Sequence, residues 1–226
     1  MKWVIAGAHL RREDIEPAAT PIVAGELFLS GVEVVEDQPL GDRELLLRVA
    51  GVRAALLERA TFVAVRYGFT ISGPAVREGG TETLARAGAV ALAKVAPYLD
   101  RWRSLLEEHR GRVEMTLKVA AASPKGRPDR RSFDSGAAYL RALHESVAAA
   151  GVSDEFRAAA EEALDGAERR WSHRDTKSLE LAALVAREDV PRVREAGEGL
   201  KRAFPDVPFL LSGPWPLEVF ADDDRE

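Results

Sequence analysis

The sequence predicts an α+β protein of two domains linked by a long helix. Three observations support this fold class. Strand-like and helical spacings of apolar residues occur in both halves of the chain, a long amphipathic stretch occupies its middle, and Gly111 follows that stretch. We expect the boundary at this glycine, so that residues 1–111 form a mixed α+β N-terminal domain and residues 112–226 form a C-terminal domain.

The N-terminal half opens with strand patterns. Residues 2–8 are short and apolar, and two apolar runs within residues 21–35 predict a hairpin or two adjacent strands. Asp42 is a predicted helix N-cap, because its carboxylate can accept hydrogen bonds from the free amides of the first turn. Helical spacing follows at Leu45, Leu46, Val49, Val52, Leu56 and Leu57. Residues 61–65 are rich in β-branched and aromatic side chains, which predicts another strand.

The long helix is predicted from one apolar stripe that begins after Thr81, its expected cap. The members of the stripe are three or four residues apart, as in an amphipathic helix. They are Leu84, Gly88, Ala91, Val95, Leu99, Trp102 and Leu106. Pro97 lies within the stripe and is expected to kink the helix or divide it in two, because proline has no amide hydrogen to donate.

The C-terminal half has the predicted order strand, helix, helix, strand, helix, strand, which is close to half of a ferredoxin-like arrangement with an inserted helix. The strands are expected at residues 113–119 (half-buried), 179–186 and 207–211. The helices are expected at residues 135–150, 154–171 (capped by Ser153 or Asp154) and 189–204. The pattern of residues 179–186 also suits a helix, and their shortness favours the strand. Residues 123–132 form a predicted polar loop.

Composition excludes several classes of protein. The chain has no cysteine, which excludes disulfides, thiolate zinc sites and cysteine nucleophiles and is typical of a cytoplasmic protein. Its formal net charge of −5 argues against nucleic-acid binding, which depends on clustered Lys and Arg. No apolar run reaches the roughly 18 residues that a spanning helix needs, and the apolar N-terminal run is too short for a signal peptide, so no membrane association is expected.

The histidines do not form a recognisable active site. They are His9, His109, His144 and His173, and none has a partner four residues away, as a helical metal site would require. His109 follows two glutamates at a predicted helix end, where a capping or surface role is favoured. His173 lies between a serine and an aspartate, but a catalytic triad needs groups that converge from different elements, so a helix-end loop is favoured.

Two further patterns also lack a clear chemical role. The GEG sequence at residues 197–199 lies late in a helical stretch and not between a strand and a helix start, so no dinucleotide site and no cofactor is expected. A local basic loop is interrupted by acidic residues, and we favour a solvated loop over a surface for an acidic protein partner. Its cations are Lys125, Arg127, Arg130 and Arg131.

The end of the chain carries the most unusual segment, LLSGPWPLEVF at residues 210–220. Pro214 and Pro216 fix their own φ angles and restrict the residue before each, so Trp215 has little conformational freedom. A rigid tryptophan packs well into its own core or into a partner. We expect a terminal strand and turn that locks the second domain, in which Trp215, Val219 and Phe220 complete the core, with display to a partner as the alternative.

This segment resembles the C-terminal signature of the gas vesicle GvpF/GvpL family, and three further segments resemble family motifs in the same order along the chain. The C-terminal matches are Gly213, Pro214, Trp215, Pro216 and Phe220. The segment FVAVRYG matches at Arg66 and Gly68, with Tyr67 in place of a phenylalanine. The other matches are Glu114, Lys118 and Val119 in VEMTLKV, and Gly136, Tyr139 and Leu140 in SGAAYL. Leu217 and Glu218 differ from the family pattern, which indicates a divergent member.

The resemblance implies two α+β domains, the second a modified ferredoxin-like fold. It also implies an accessory or minor structural protein of gas vesicles, not an enzyme, that has no catalytic residues or cofactor and contacts the shell protein and other accessory proteins in the cytoplasm. The matching residues are then motif or partner-contact candidates, although a structural ion pair is favoured for Arg66. Leu217 and Glu218 are expected on the outer surface. The alternative is a small-molecule-binding or enzymatic ferredoxin-like protein outside gas vesicles.

Overall fold

The computed structural model describes residues 1–12, 18–35, 38–73, 81–120, 130–133, 135–139, 152–175 and 178–218. The chain divides into two compact units. The first unit comprises Met1–Val113 together with the segment that begins at Pro214, and the second comprises Glu114–Gly213. The structure therefore groups the C-terminal segment with the first unit, whereas the sequence assigned all of residues 112–226 to the second domain.

The first unit contains a five-stranded sheet. Its strands are β1 (Lys2–His9), β2 (Thr20–Ala24), β3 (Leu27–Val34), β4 (Val63–Ala64) and β5 (Thr70–Ser72). The order is β2-β3-β1-β4, and β5 also pairs with β1. The predicted hairpin is confirmed, because β2 and β3 pair antiparallel around Gly25, whose φ of 64° lies in the left-handed region that favours glycine.

Helix α1 (Arg43–Arg59) covers one face of this sheet. Its buried residues are Leu45, Val49, Val52 and Leu56, and they pack with Val4, Ala6, Val32 and Val34 of the sheet. The predicted cap is confirmed, because the Asp42 carboxylate accepts a hydrogen bond from the amide of Leu45 at 3.1 Å. That backbone hydrogen bond, followed by one from the Gln38 side chain, holds the pKa of Asp42 below its ordinary value of 3.8.

The predicted long helix is divided as expected. Helix α2 (Thr81–Val95) ends in a 3₁₀ turn, Ala96–Tyr98, which contains Pro97, and α3 (Leu99–Glu108) follows. Most of the predicted stripe is buried, including Ala91, Val95, Trp102 and Leu106. Leu84 is exposed at the start of the stripe, so the buried face begins one turn later than the spacing predicts.

Gly88 sets the distance between α2 and the sheet. A Cβ atom at this position would lie 2.5 Å from the backbone oxygen of Val23 in β2, which is closer than real Cβ contacts allow. The absence of a side chain therefore lets the helix pack directly against the strand backbone.

The second unit contains a four-stranded sheet in the order β7-β8-β6-β9. Its strands are β6 (Arg112–Ala120), β7 (Arg169–Asp175), β8 (Ser178–Ala186) and β9 (Phe209–Trp215), and its helices are α4 (Asp154–Ala163) and α5 (Val190–Ala203). The order β6-α4-β7-β8-α5-β9 is the β-α-β-β-α-β connectivity of ferredoxin-like folds. Residues 136–139 are helical, and the rest of the helix predicted at 135–150 lies outside the described residues.

The helix predicted at residues 154–171 is too long. Helix α4 begins after its Ser153 cap but ends at Ala163, and residues 169–171 belong to β7. Gly166 allows this change of direction, because a Cβ atom there would lie 2.5 Å from the Leu184 carbonyl oxygen. His173 therefore lies in a strand, and the expectation of a helix-end loop is wrong.

Strand β6 is more buried than its alternating pattern predicts. It lies between β8 and β9 in the sheet, and residues on both of its faces are buried, Glu114 and Thr116 as well as their apolar neighbours. Lys118 is exposed. Alternation predicts a half-buried strand only where one face of the sheet meets water, and the burial on both faces of β6 does not meet that condition.

The end of the chain reverses two expectations about burial. Trp215 is 46% exposed, so its predicted place in the core is wrong, while Leu217, expected on the outer surface, has no exposed area. The amide of Leu217 donates to the carbonyl oxygen of Phe62 at 3.0 Å, within the first unit. Strand β9 also continues to Trp215 through Pro214, which its place at the edge of the sheet permits.

Gly88→Ala should lower the free energy of unfolding by about 1–3 kcal/mol, since the new methyl group meets the Val23 backbone and cannot be accommodated by a rotamer change. The matched control is Gly51→Ala on α1, where a Cβ atom meets nothing within 4 Å. That variant should be more stable by up to about 1 kcal/mol, because alanine favours the helix. Urea unfolding at micromolar protein concentration measures the free energy of unfolding of both variants. Equal effects of the two substitutions would contradict the close contact between Gly88 and the Val23 backbone.

Asp42→Asn should lower the melting temperature at pH 7 but not at acid pH. Because the folded pKa of Asp42 is lowered, its charge stabilises the fold above pH 3.8, and this contribution is lost as the pH falls through the folded pKa. Asparagine retains a capping oxygen, so the variant isolates the charge. Melting curves from pH 7 to pH 2 measure the difference, with Asp206→Asn at an exposed turn as the control. A difference that persists unchanged at pH 2 would refute the assignment.

Leu217→Ala should lower the free energy of unfolding by about 2–4 kcal/mol, because the side chain is fully buried. Trp215→Ala removes a larger side chain from the neighbouring motif position but should cost less than about 1 kcal/mol, since nearly half of that side chain meets water. Denaturant titrations measure the free energy of unfolding of both variants. A larger decrease for Trp215→Ala than for Leu217→Ala would show that Trp215 is the core residue.

Candidate functional site

The motif around residues 62–68 forms part of the first unit. Phe62 is buried beside β1, where a side chain at Gly7 would clash with its ring. Tyr67 is partly buried and its hydroxyl donates to the carbonyl oxygen of Leu40. Gly68 has a φ of 93° in the turn closed by the Phe69 amide and the Arg66 carbonyl oxygen, at 3.1 Å. The motif thus builds a strand end and a turn that require a glycine.

Arg53 anchors helix α1 to two other segments of the first unit. Its Nε donates to the carbonyl oxygen of Ala6 at 3.0 Å, and its Nη2 donates to that of Val65. Burial lowers the pKa of the Arg53 guanidinium, and the nearby Glu218 carboxylate opposes that effect. Arg66 itself is exposed. The available signal for Arg53 was its position one turn after Val49, at the margin of the buried stripe of α1.

The C-terminal motif meets the first motif in this unit. Leu217 hydrogen-bonds to Phe62, and the charge of Glu218 acts on Arg53, which in turn holds Val65. Two segments separated by most of the chain are therefore neighbours. Pro216 is partly buried between the exposed Trp215 and the buried Leu217.

Glu114 and Gly213 meet in the second unit. Gly213 has a φ of 119°, and a Cβ atom there would lie 2.9 Å from the Glu114 carbonyl oxygen and 2.8 Å from the Met115 sulfur. The Gly213 carbonyl oxygen accepts from Nη2 of Arg194 at 3.0 Å. Glycine is needed at this position for both its conformation and its close contact with β6, so the first residue of GPWP is structural.

The SGAAYL motif begins a helix. The Ser135 hydroxyl oxygen accepts from the amide of Ala138 at 3.1 Å, as an N-cap does. Gly136 is exposed, and the partly buried Tyr139 meets Phe133 edge to face, with 5.9 Å between ring centroids. Leu140 and Phe220, the remaining motif residues, lie outside the described residues.

The described histidine side chains have structural partners. His9 is fully buried, with Nδ1 2.8 Å from the Arg11 carbonyl oxygen and Nε2 3.0 Å from the Ser30 hydroxyl. His109 ends α3 as expected and is buried, and its Nδ1 lies 3.1 Å from Nη1 of Arg112. These contacts satisfy both rings within the fold and favour structural roles.

Each unit also has an open groove. The groove of the first unit, about 460 Å³, lies between β2 and α2 and is mainly apolar. The groove of the second unit, about 810 Å³, lies between α4 and α5. At its rim, Arg169 donates to the Glu161 carbonyl oxygen at 2.8 Å and Arg192 to the Asp165 carbonyl oxygen at 3.4 Å. Both cations line the groove, and these hydrogen bonds of theirs are to backbone carbonyl oxygens.

Within the part of the chain that the structure describes, no helix combines the length and the apolar character that crossing a membrane requires.

Comparison with known proteins adds independent information. Residues 33–221 match the family model described as gas vesicle synthesis protein GvpL/GvpF. A search of curated proteins gave no match.

Two solved structures share the fold. The gas vesicle protein GvpF from Anabaena sp. PCC7120 aligns with a TM-score of 0.68 and 13% identity over 97% of this chain and 95% of that chain. GvpF from Microcystis aeruginosa aligns with a TM-score of 0.69 and 13% identity over 97% and 98%. These likenesses confirm the predicted α+β fold class. Because the family model spans most of the sequence and includes all four motif segments, the chain belongs to the gas vesicle synthesis protein GvpL/GvpF family.

Proposed function

We propose that this chain is an accessory or minor structural protein that acts in the cytoplasm during gas vesicle assembly. The observation that carries the proposal is the family match over residues 33–221. The described geometry is compatible with it, since the motif residues build turns, caps and backbone contacts, which are features of a binding scaffold.

The proposed partners are the gas vesicle shell protein and other accessory proteins. A small hydrophobic shell subunit exposes apolar surface and β edges before it is incorporated, and an accessory protein would prevent wrong pairing by covering them. The chain offers suitable surfaces, because β2 and β9 are edge strands and Val23 and Leu210 are half-exposed or more on them.

The motif residues then separate into two groups by exposure. The buried or conformationally constrained members support the fold, as Glu114 and Gly213 do. The exposed members are the proposed contact residues, and they are Arg66, Lys118, Gly136 and Trp215. Trp215 is the strongest of these, because a rigid aromatic side chain loses little entropy when it is buried by a partner.

The test is co-expression of the tagged chain with a gas vesicle shell protein, followed by pull-down. We expect retention of the shell protein, and at least about a fivefold loss of retention with Trp215→Ala. The matched control is Tyr98→Ala, which removes an aromatic side chain of similar exposure (43%) that belongs to no motif.

Deletion of the gene should reduce the yield of buoyant vesicles, and the intact gene should restore it. Failure of the chain to associate with both the shell protein and the sibling accessory proteins, with unchanged vesicle yield on deletion, would refute the proposal. If Trp215→Ala and the intact chain retain the shell protein equally, the proposed function stands but Trp215 does not belong to the contact surface.

A further inference from the structure

The outward face of α1 is apolar although it meets solvent. Leu47 is 61% exposed, and Ala50, Gly51 and Ala54 are exposed as well. At the helical period these positions lie within an arc of about 100°, opposite the buried stripe of the same helix. A scattered exposed leucine is ordinary, but a continuous apolar face on one helix is typical of an interaction surface.

This face has a positively charged residue at one end and a negatively charged residue at the other. Arg43 and Glu58 are both exposed and follow the same helical spacing, four residues before Leu47 and four residues after Ala54. We call these six residues the α1 outer face: Arg43, Leu47, Ala50, Gly51, Ala54 and Glu58.

The α1 outer face is complementary to itself in one orientation. If two copies pack antiparallel about an axis between Ala50 and Gly51, Arg43 of each copy lies opposite Glu58 of the other, and Leu47 lies opposite Ala54. Such reciprocal contacts are the requirement of a two-fold symmetric interface. A parallel arrangement would place like charges together, so the sequence of the face favours the antiparallel one.

Gly51 supports the same orientation. A glycine within a helix is less favourable than alanine, and a Cβ atom at Gly51 would meet nothing within 4 Å, so packing inside the chain does not account for it. At the centre of an antiparallel helix pair, the missing side chain lets the two backbones approach closely.

We propose that the α1 outer face is the self-association surface of this chain, occupied by the same face of a second copy in antiparallel orientation. The inference goes beyond the proposed function in gas vesicle assembly and does not depend on it. One helix pair has a small area compared with the roughly 800 Å² per partner of standard interfaces, so we expect a weak dimer with a dissociation constant on the order of 10–100 µM.

Sedimentation equilibrium of the full chain from about 1 µM to 1 mM measures the association. Arg43→Glu and Glu58→Arg should each raise the dissociation constant at least about tenfold, because each places like charges together at both ends of the symmetric interface. The double variant exchanges the two charges and should return to within about threefold of the original value. Leu47→Asp should abolish the dimer.

The control is Glu195→Arg, the same charge reversal at an exposed position of α5, which should leave the dissociation constant unchanged. Circular dichroism at low concentration verifies that each variant is folded. The proposal would be overturned if the chain stays monomeric at 1 mM or if the single charge reversals leave the dissociation constant unchanged. It would also be overturned if the double variant does not return to the original dissociation constant. A monomer that binds the shell protein through Leu47 would assign the face to that partner instead.

Discussion

Much of the first unit depends on one partly buried cation. Arg53 extends from α1 to the carbonyl oxygens of Ala6 in β1 and Val65 after β4, so a single guanidinium joins a helix to two strand segments. Withdrawing this charge from water is unfavourable and lowers its pKa, and the carbonyl dipoles and Glu218 offset the cost. The first motif and the C-terminal motif therefore share one electrostatic anchor.

The elements that could be predicted from the sequence are those whose signals are local. The Asp42 cap, the interruption at Pro97 and the hairpin at Gly25 follow from properties of single residues, and all three are present. The predictions that are wrong concern features that depend on contacts between distant segments of the chain. Trp171 pairs with Leu181 in a neighbouring strand, a contact that no helical periodicity reveals. The burial of both faces of β6 likewise depends on what packs against the sheet, which the local pattern does not state.

The candidate site shows the same division between local and long-range information. The family pattern points to particular residues, but the structural partners of those residues lie elsewhere in the chain. The two prolines predict a restricted Trp215, but they do not specify which way its side chain faces, and Leu217 is the buried residue instead. The role of Arg53 could not be predicted from the sequence, because its partners are backbone carbonyl oxygens, which every residue has.

The grouping of Leu217 with the first unit makes that unit discontinuous along the chain. Its first part, Met1–Val113, is synthesised before the whole of Glu114–Gly213, and the segment that hydrogen-bonds to Phe62 follows only afterwards. During translation the second unit can complete its own sheet core while the first still lacks a buried leucine. The segment that completes the core of the first unit is therefore synthesised after the whole of the second unit.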